Sequence, residues 1–471
     1  MIATAIASAD HHSNRLRPPG RAARPAAATA RRRGERLRAA VGALAGLLGG
    51  LLVAHGLAPS AQAGEEFPGG DHTRYLLFMT GPHDGISPAR PERITPSAFE
   101  RITGHFDDLP PSRVEIGLSM IVSYFQHSGE RTAQAVRRFL EAAEATGTPV
   151  TIKLDGENWW NNRPDLWNWW DPEMPGYDPD NARNVEWSGW GPEHAVKIGW
   201  RNWGRQLRVR PAPNLMSPEY QQACREAMLP LLGIIHQWWR ELPPARRDLL
   251  VAVEVGWESA IGVNAYYYEN GNQLLEADPA DDPKTKPDRR GDLLGRGRVP
   301  LGYAAVSTAG IRDSGELRYE DQVEVVRRHL EYQSRIVREA GFPRERVFTH
   351  GWGNEDGEPL YDAALNEYAS PGWSCYWYSN RLHQDTGINR GIDRSDAPYW
   401  AAVEWLFLHR FDRRAWFEAF DETLSHRDCR YLTFYNWRRI SSSDNGDQII
   451  AAARDLLAKY SLADERRELL P

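Results

Sequence analysis

Residues 249–258 read Leu-Leu-Val-Ala-Val-Glu-Val-Gly-Trp-Glu, an apolar run that stops at Gly256 and presents Glu258 just beyond it. An apolar run of this length, bounded by turn residues, is typical of a buried β-strand. Seven more such runs are present, at residues 75–79, 114–122, 149–154, 346–349, 373–378, 400–407 and 431–435. The sequence therefore predicts eight strands, of which the quoted one is the fourth.

Stretches with helical spacing of apolar residues separate these runs. They occupy residues 130–145, 218–242, 319–340, 413–425 and 448–460, with weaker signals at 359–368 and 381–398. Strands that alternate with helices form parallel βα units, and eight such units close into a (β/α)8 TIM barrel of the α/β class. We therefore expect one catalytic barrel over residues 64–471, with its chemistry at the carboxyl ends of the strands.

Two segments are too long to be simple connections: residues 157–217 after the third strand and residues 259–318 after the fourth. Long loops on this face of a barrel commonly build a binding site. The first contains nine of the 19 tryptophans, Trp159, Trp160, Trp167, Trp169, Trp170, Trp187, Trp190, Trp200 and Trp203. Because indole faces can stack on sugar rings, we expect one or two of them to contact a carbohydrate. The alternative is that they pack the loop onto the barrel.

The composition excludes several classes of protein. The 471 residues are 41% hydrophobic and 26% charged, which is normal for a globular chain. The formal net charge is −7, and residues 1–63 hold nine arginines against two acids, so the rest of the chain carries about −14. Phosphate binding needs clustered Lys and Arg, so we expect no nucleic acid partner. Three cysteines are too few for a disulfide framework or a zinc cluster.

The N-terminus has the order of a secretory signal peptide. The basic run Arg31-Arg32-Arg33 precedes an apolar stretch at residues 39–54, and Ala61-Gln62-Ala63 matches a small-x-small cleavage site. We expect residues 1–63 to be a leader that is cleaved after Ala63, which makes the mature protein secreted or periplasmic, without stable membrane insertion. An uncleaved anchor is the alternative, and the export route, Sec or twin-arginine, stays open.

Two glutamates stand at strand ends. Glu258 follows the fourth strand, and Glu404 lies in the apolar run Ala401-Ala402-Val403-Glu404-Trp405 of the seventh. Such carboxylates are seldom unpaired, and two of them across a barrel can flank a glycosidic oxygen. A separation of about 5 to 5.5 Å would give retention, and a wider one inversion. Internal salt bridges are the alternative role. The competing acids are Glu254 for the first position and Asp155, Glu157 and Glu355 for the second.

At residues 72–460 the chain resembles the clan A glycoside hydrolases, which are (β/α)8 enzymes. Gly256-Trp257-Glu258 matches their fourth-strand Gly-Asn-Glu motif. The resemblance implies that Glu258 is the acid/base, that Glu404 is the nucleophile, and that Tyr376 or Tyr378 holds the nucleophile. It further implies an aromatic residue, Trp437, beneath the sugar.

Other residues near the strand ends are candidates for binding substrate hydroxyls or sugar rings. They are Asp155, Glu157, Asn158, Trp159, Trp257, Asn264, His350 and Trp352. The chain departs from the clan at Trp257, where the clan usually has an asparagine that contacts the sugar 2-hydroxyl. Asn158 or Asn264 could supply that contact from the loops.

The expected function is therefore a secreted retaining glycoside hydrolase that acts on an oligo- or polysaccharide with two glutamates. The sequence has no nucleophile elbow, Walker loop or dinucleotide fingerprint. A metal-dependent hydrolase would use His72, His83, Asp84, His127 and His350, but the one short-spaced histidine pair, His11-His12, lies in the leader. We expect no cofactor and no metal. The alternatives are an inverting glycosidase that uses other acids and a noncatalytic carbohydrate-binding barrel.

Overall fold

A computed structural model describes residues 72–202, 206–261, 265–268, 298–352, 359–407 and 412–462. In these residues the strands are β1 (Arg74–Thr80), β2 (Val114–Ser123), β3 (Val150–Asp155), β4 (Gly199–Asn202), β5 (Gln206–Val209), β6 (Leu250–Ser259), β7 (Ala265–Tyr268), β8 (Arg298–Val299), β9 (Val347–Gly351), β10 (Gly372–Cys375), β11 (Trp400–Trp405) and β12 (Cys429–Phe434). The helices are α1 (Pro96–Thr103), α2 (Gly129–Thr146), α3 (Pro164–Trp167), α4 (Pro218–Glu241), α5 (Tyr303–Thr308), α6 (Tyr319–Glu339), α7 (Thr386–Arg394), α8 (Arg413–Ser425), α9 (Trp437–Ser441) and α10 (Gly446–Lys459).

Eight of the strands form a closed barrel in the order β1-β12-β11-β10-β9-β6-β3-β2. All neighbouring pairs run parallel. They coincide with the eight strands expected from the apolar runs, so the (β/α)8 prediction is confirmed. The fourth predicted strand is β6 and the seventh is β11, and their carboxyl ends lie on the same face of the barrel.

The five predicted helices are present as α2, α4, α6, α8 and α10. Local signals set their ends: in α2, the Ser128 hydroxyl accepts a hydrogen bond from the Arg131 N–H, and Gly147 ends the helix at φ 69°. The weak signal at residues 359–368 is a short 3-10 helix at Pro359–Ala364, and the one at residues 381–398 contains α7. Helix α1 was not predicted, because it has only two turns.

Alternate residues of the barrel strands face inward. On β1, Leu76 and Phe78 pack with residues of the surrounding helices, whereas Tyr75 and Leu77 belong to a separate cluster inside the barrel. Because both faces of each strand are buried, the strands read as continuous apolar runs. This is why they were visible in the sequence.

The barrel interior also contains a buried ion pair, which we call the interior pair. Lys153 Nζ on β3 lies 3.4 Å from Glu254 Oε2 on β6, and neither side chain is exposed to solvent. The Tyr431 hydroxyl on β12 donates a hydrogen bond of 3.0 Å to Glu254 Oε1. The cation and the donor oppose the effect of burial, which raises the pKa of Glu254.

The segments at residues 157–217 and 259–318, here called the first and second excursions, contain a second sheet. Its strand order is β5-β4-β7-β8, and β4 pairs antiparallel with both β5 and β7. Since β4 belongs to the first excursion and β7 to the second, the sheet joins them. The sequence did not indicate this sheet, because strands of two to four residues are too short to give a periodic signal.

A buried carboxylate makes a further connection between the excursions. Glu186 in the first excursion accepts hydrogen bonds from the N–H groups of Gly302, Ala304 and Ala305 at 3.0, 3.2 and 3.3 Å. These donors belong to the start of α5 in the second excursion. Burial raises the pKa of Glu186 to about 8. The carboxylate thus satisfies backbone donors that would otherwise be buried without partners.

Three of the tryptophans form a small core within the first excursion. Trp160, Trp167 and Trp187 are buried. Their indole N–H groups donate to the carbonyl oxygens of Pro211, Trp160 and Ala182 at 3.0, 3.0 and 2.7 Å. For these three the packing alternative holds. Half-buried tryptophans are Trp159, Trp169, Trp170 and Trp190, whereas Trp203 and the side chain of Trp200 lie outside the described part.

In the part of the chain that the structure describes, no helix has the length and apolar character needed to cross a membrane. The predicted leader, residues 1–63, lies outside that part. Its removal therefore stays a prediction.

Candidate active site

Glu258 and Glu404 occupy the carboxyl ends of β6 and β11, and both are buried. The backbone of Glu258 has φ 51°, in the left-handed region that L-residues seldom adopt. Gly256, two residues earlier, has φ 82°, and a Cβ there would lie 2.4 Å from Ser259 Oγ and 2.7 Å from Leu330 Cδ2. The glycine seen in the sequence is therefore required for the turn that presents Glu258.

One hydroxyl group contacts both carboxylates. The Tyr376 hydroxyl lies 3.3 Å from Glu258 Oε1 and makes a short hydrogen bond to Glu404 Oε1. Because the two carboxylate oxygens share this partner, they lie no further apart than two hydrogen-bond lengths, about 6 Å. Of the two tyrosines expected to hold Glu404, Tyr376 makes the contact. The half-buried Tyr378 instead lies beneath the Arg381 guanidinium, 5.3 Å from its ring centroid.

Three neighbours of Glu404 favour its ionised form and partly offset the effect of its burial. Trp257 Nε1 donates a hydrogen bond of 3.0 Å to Glu404 Oε2, and Lys153 Nζ lies 3.8 Å from the same oxygen. Burial raises the pKa of Glu404, but Lys153, Tyr376 and Trp257 oppose that rise. Trp257, which was expected to bind substrate, thus contacts the carboxylate itself.

The surroundings of Glu258 favour its protonated form. Burial raises its pKa, and the nearby Glu404 carboxylate raises it further. Ser374 Oγ donates a hydrogen bond of 2.9 Å to Glu258 Oε1 and opposes the rise in part. The site therefore contains two buried carboxyl groups with different environments, which is the arrangement that separates an acid from a nucleophile.

His350 was expected to bind substrate, but it is fully buried in the barrel. Its Nε2 atom lies 2.9 Å from Ser374 Oγ, the hydroxyl that contacts Glu258. The structure thus gives His350 a contact with Ser374, and a direct contact with a substrate hydroxyl stays a prediction.

Asp155 and Glu157 also have internal partners. Asp155 accepts a hydrogen bond from Ser123 Oγ at 2.6 Å and from the backbone N–H groups of residues 157 and 158 at 3.0 and 3.2 Å, so it holds the turn after β3. Burial raises its pKa to about 6. Glu157 accepts from Ser259 Oγ at 2.5 Å and lies 3.2 Å from His329 Nε2. Both are buried and support the site through these contacts, and a contact of either with substrate stays a prediction.

Asn158 connects the ends of β3 and β6. Its side-chain N–H donates to Trp257 O at 3.1 Å and to Asp155 Oδ1 at 3.2 Å. Its Oδ1 atom is buried and has no hydrogen-bond partner. Trp352, at the end of β9, lies near Tyr376 with 6.3 Å between ring centroids, and its buried Nε1 atom is also unpartnered. These atoms are available to hydroxyl groups of a ligand.

Trp437 packs away from the carboxylates. It is 6% exposed, and its ring centroid lies 5.1 Å from that of Phe78, which faces the helices. Residue 437 starts α9 and packs on Phe78, and its role as an aromatic platform beneath the sugar stays a prediction. Tyr435, two residues earlier, is half-buried and lies close enough to Tyr376 to influence its pKa.

The other residues that the sequence indicated for the site lie in different parts of the molecule. Trp159 is half-buried at the start of the first excursion. Asn264 and the competing acid Glu355 lie outside the described residues. Glu254 belongs to the interior pair. Across the described ranges there is no group of three or more His, Cys, Asp or Glu side chains placed to hold a metal ion.

Two important residues were missed in the sequence. Lys153 was read as part of an apolar run, although a single lysine in a buried strand signals a carboxylate partner. Ser374 gives no sequence signal, because its contact with Glu258 depends on the register between β9, β10 and β6.

Comparison with known proteins finds no matching family model and no matching curated protein. Solved structures do match. A GH5-4 broad specificity endoglucanase from an uncultured bacterium is 10% identical, covers 78% of this chain and 84% of its own, and has a TM-score of 0.37. The catalytic domain of a GH26 endo-β-1,4-mannanase from Bacillus sp. JAMB-750 is 12% identical, with coverages of 83% and 87% and a TM-score of 0.39.

An exo-β-1,4-mannosidase from Opitutaceae bacterium strain TAV5 is 9% identical, covers 84% of this chain and 60% of its own, and has a TM-score of 0.40. All three names are those of glycoside hydrolases.

Proposed function

We propose that this protein is a secreted glycoside hydrolase that cleaves O-glycosidic bonds of an oligo- or polysaccharide with retention of configuration. The observation that carries the proposal is the pair Glu258 and Glu404, bridged by the Tyr376 hydroxyl and placed in unequal environments. The limit of about 6 Å between their oxygens favours the spacing of retaining enzymes, since inverting enzymes leave room for a water between the carboxyls.

The first chemical step uses both carboxyl groups. Glu404, ionised beside Lys153, attacks the anomeric carbon and forms an ester bond, while the glycosidic C–O bond breaks. The leaving oxygen takes the proton of Glu258, whose raised pKa keeps it protonated near neutral pH. Trp257 and Tyr376 hold Glu404 in the orientation of attack.

The second step returns the enzyme to its starting state. Glu258, now a carboxylate, takes a proton from water, and the water oxygen attacks the anomeric carbon as the ester bond to Glu404 breaks. While Glu404 is esterified it carries no charge and no longer raises the pKa of Glu258. The pKa of Glu258 therefore falls, and its carboxylate form is available as the base. Two displacements at one carbon give net retention.

We propose that the sugar is recognised by buried polar atoms around Glu258 and Glu404 that have no hydrogen-bond partner. Asn158 Oδ1 is an acceptor and Trp352 Nε1 a donor, and neither has a hydrogen-bond partner among the described residues. Buried polar atoms of this kind favour a ligand whose hydroxyl groups satisfy them. The half-buried Trp159 and Tyr435 offer aromatic surface nearby.

The proposed function is tested with purified protein on a panel of aryl glycosides and of plant and algal polysaccharides. We expect release of reducing sugar, retention in the first product seen by NMR, and labelling of Glu404 by a 2-deoxy-2-fluoro glycoside, located by mass spectrometry of the peptides. Inverted product, or binding of sugar without turnover by the wild type, would overturn it.

Secretion is tested separately by terminal sequencing of the protein recovered from periplasm or medium. The signal-like order of residues 31–63 supports a mature N-terminus at Gly64. Recovery of protein that retains the apolar stretch, residues 39–54, would contradict it.

A further inference from the structure

We propose that His350 and Ser374 are positioning residues that keep the carboxyl group of Glu258 oriented for proton transfer. This inference rests on the function proposed above. Ser374 Oγ donates to Glu258 Oε1 at 2.9 Å, and His350 Nε2 lies 2.9 Å from Ser374 Oγ. The three residues belong to β6, β9 and β10, which are adjacent in the barrel. The contacts therefore form a relay across neighbouring strands.

The directions of these hydrogen bonds determine the protonation state of His350. A serine hydroxyl has one proton, and Ser374 gives it to Glu258, so Ser374 accepts its second bond from the His350 Nε2–H. The other ring nitrogen, Nδ1, is buried and has no hydrogen-bond partner, as expected for a neutral ring. Burial, aided by the charge of Lys153, holds the pKa of His350 well below its usual value. The ring therefore remains a neutral donor at neutral pH.

The relay directs the proton that Glu258 transfers. Because Ser374 donates to Oε1, that oxygen acts as an acceptor and the carboxyl proton is carried by Oε2. Without the His350 donor, the serine hydroxyl would be free to turn and accept from Glu258, and the carboxyl would lose its fixed orientation. A misdirected acid lowers kcat more than it affects substrate binding.

The relay also changes the acidity of Glu258. A hydrogen bond to a carboxylate is stronger than one to a neutral carboxyl, so Ser374 stabilises the ionised form. The other charged or titratable groups that act on Glu258 are Glu404, Lys153 and Tyr376, and a serine substitution leaves them in place. Loss of the Ser374 hydroxyl should therefore raise the pKa of Glu258.

The test compares Ser374→Ala with a matched control, Ser119→Ala. Ser119 on β2 is also a fully buried barrel serine, but its hydroxyl has no hydrogen-bond partner. Because Glu258 must be protonated to act as an acid, its pKa sets the alkaline limb of kcat/KM. We expect Ser374→Ala to move this limb upward by about one pH unit and to lower kcat about tenfold with little change in KM. Ser119→Ala should leave the limb in place.

Two histidine variants separate the relay from a merely structural role. In His350→Gln the side-chain amide can donate in place of Nε2–H, so the alkaline limb should keep its wild-type position. In His350→Leu the donor is lost, and the limb should shift as in Ser374→Ala. Equal shifts in the Gln and Leu variants, or no shift in Ser374→Ala, would overturn the relay.

A measurement without turnover distinguishes failure of the relay from failure of the proposed function. Infrared difference titration of the carboxyl band, assigned to Glu258 by its absence in Glu258→Gln, reports the same pKa directly. If Ser374→Ala raises this pKa in a protein that hydrolyses no glycoside, the relay stands and the function fails. If the enzyme is active and the band titrates as in wild type, the relay fails alone.

Discussion

Glu254 and Glu258 lie four residues apart on one strand and both are buried, yet their surroundings differ. Glu254 in the interior pair contacts Lys153 at 3.4 Å and the Tyr431 hydroxyl. Glu258 at the barrel mouth contacts two hydroxyl groups, and the nearby Glu404 carboxylate raises its pKa. The difference teaches that burial alone does not mark a reactive acid. Burial raises the pKa of both carboxyl groups, but the Lys153 cation opposes the rise at Glu254, whereas the Glu404 carboxylate adds to it at Glu258.

The largest effect should follow removal of the proposed nucleophile. Glu404→Gln cannot form the ester intermediate, so kcat should fall by about 10⁴-fold or more on every substrate. The same change at Glu254 removes no reacting group and should lower kcat far less. Steady-state rates of the two variants on one aryl glycoside make the comparison. Similar losses would mean that the interior pair takes part in the reaction or that both variants are misfolded, which circular dichroism would reveal.

The second effect should depend on the leaving group. Glu258→Ala should reduce hydrolysis of natural glycosides by about 10² to 10⁴-fold, because their leaving oxygen needs a proton. Aryl glycosides with acidic phenols should still form the intermediate, and azide should speed its breakdown. The measurement is kcat across a series of phenols of different pKa. A uniform loss across the series would remove Glu258 from the acid role.

The third effect concerns the free energy of unfolding, which should fall in Glu254→Gln and rise in Glu258→Gln. Glu254→Gln breaks the interior pair and should cost about 3 kcal/mol of unfolding free energy. The raised pKa of Glu258 contributes stability that is complete below its unfolded-state pKa and is lost as the pH rises through its folded-state pKa. Glu258→Gln avoids that loss, so it should melt about 1 to 2 °C above wild type at pH 8.

The same two variants at pH 5 provide the control for stability. There the wild-type Glu258 is largely protonated, so the advantage of Glu258→Gln should disappear. Melting curves at both pH values make the measurement. If Glu258→Gln is less stable than wild type at pH 8, the contacts of Glu258 offset the cost of burying its charge as well as Lys153 and Tyr431 do for Glu254.

The smallest effect should come from Trp257, which donates one hydrogen bond to Glu404. Trp257→Phe keeps much of the ring and removes the N–H, so kcat should fall about tenfold with little change in KM. Trp167→Phe removes an indole N–H from the small core of the first excursion and is the matched control, which should reduce stability rather than kcat. A change in KM alone at Trp257 would assign it to substrate binding.

The barrel was predictable from the sequence because both faces of its strands are buried. That burial made β6 and β11 continuous apolar runs and made Glu258 and Glu404 conspicuous within them. The contact between Tyr376 and Glu404 came from the family resemblance, and the structure contains it. Local sequence patterns were therefore enough to predict which residues lie on each strand and which lie at its carboxyl end.

Contacts between strands were not predictable in the same way. Whether His350 binds a ligand or supports Ser374 depends on interstrand register, to which a single sequence gives no access. The packing of Trp437 on Phe78 depends on where α9 starts, which is a matter of a few backbone angles. Trp160 and Trp167 were ambiguous, because an indole that stacks on sugar and one that packs a core have the same sequence signature.

The joining of the two excursions has a consequence for how this protein changes over generations. Glu186 and the donors at the start of α5 are encoded more than a hundred residues apart, on either side of the strand that bears Glu258. Recombination that exchanged only one excursion would leave a buried carboxylate or buried N–H groups without partners. The two stretches should therefore be inherited together as one module, and a designed chimaera should transplant residues 157–318 as a block, including the intervening β6.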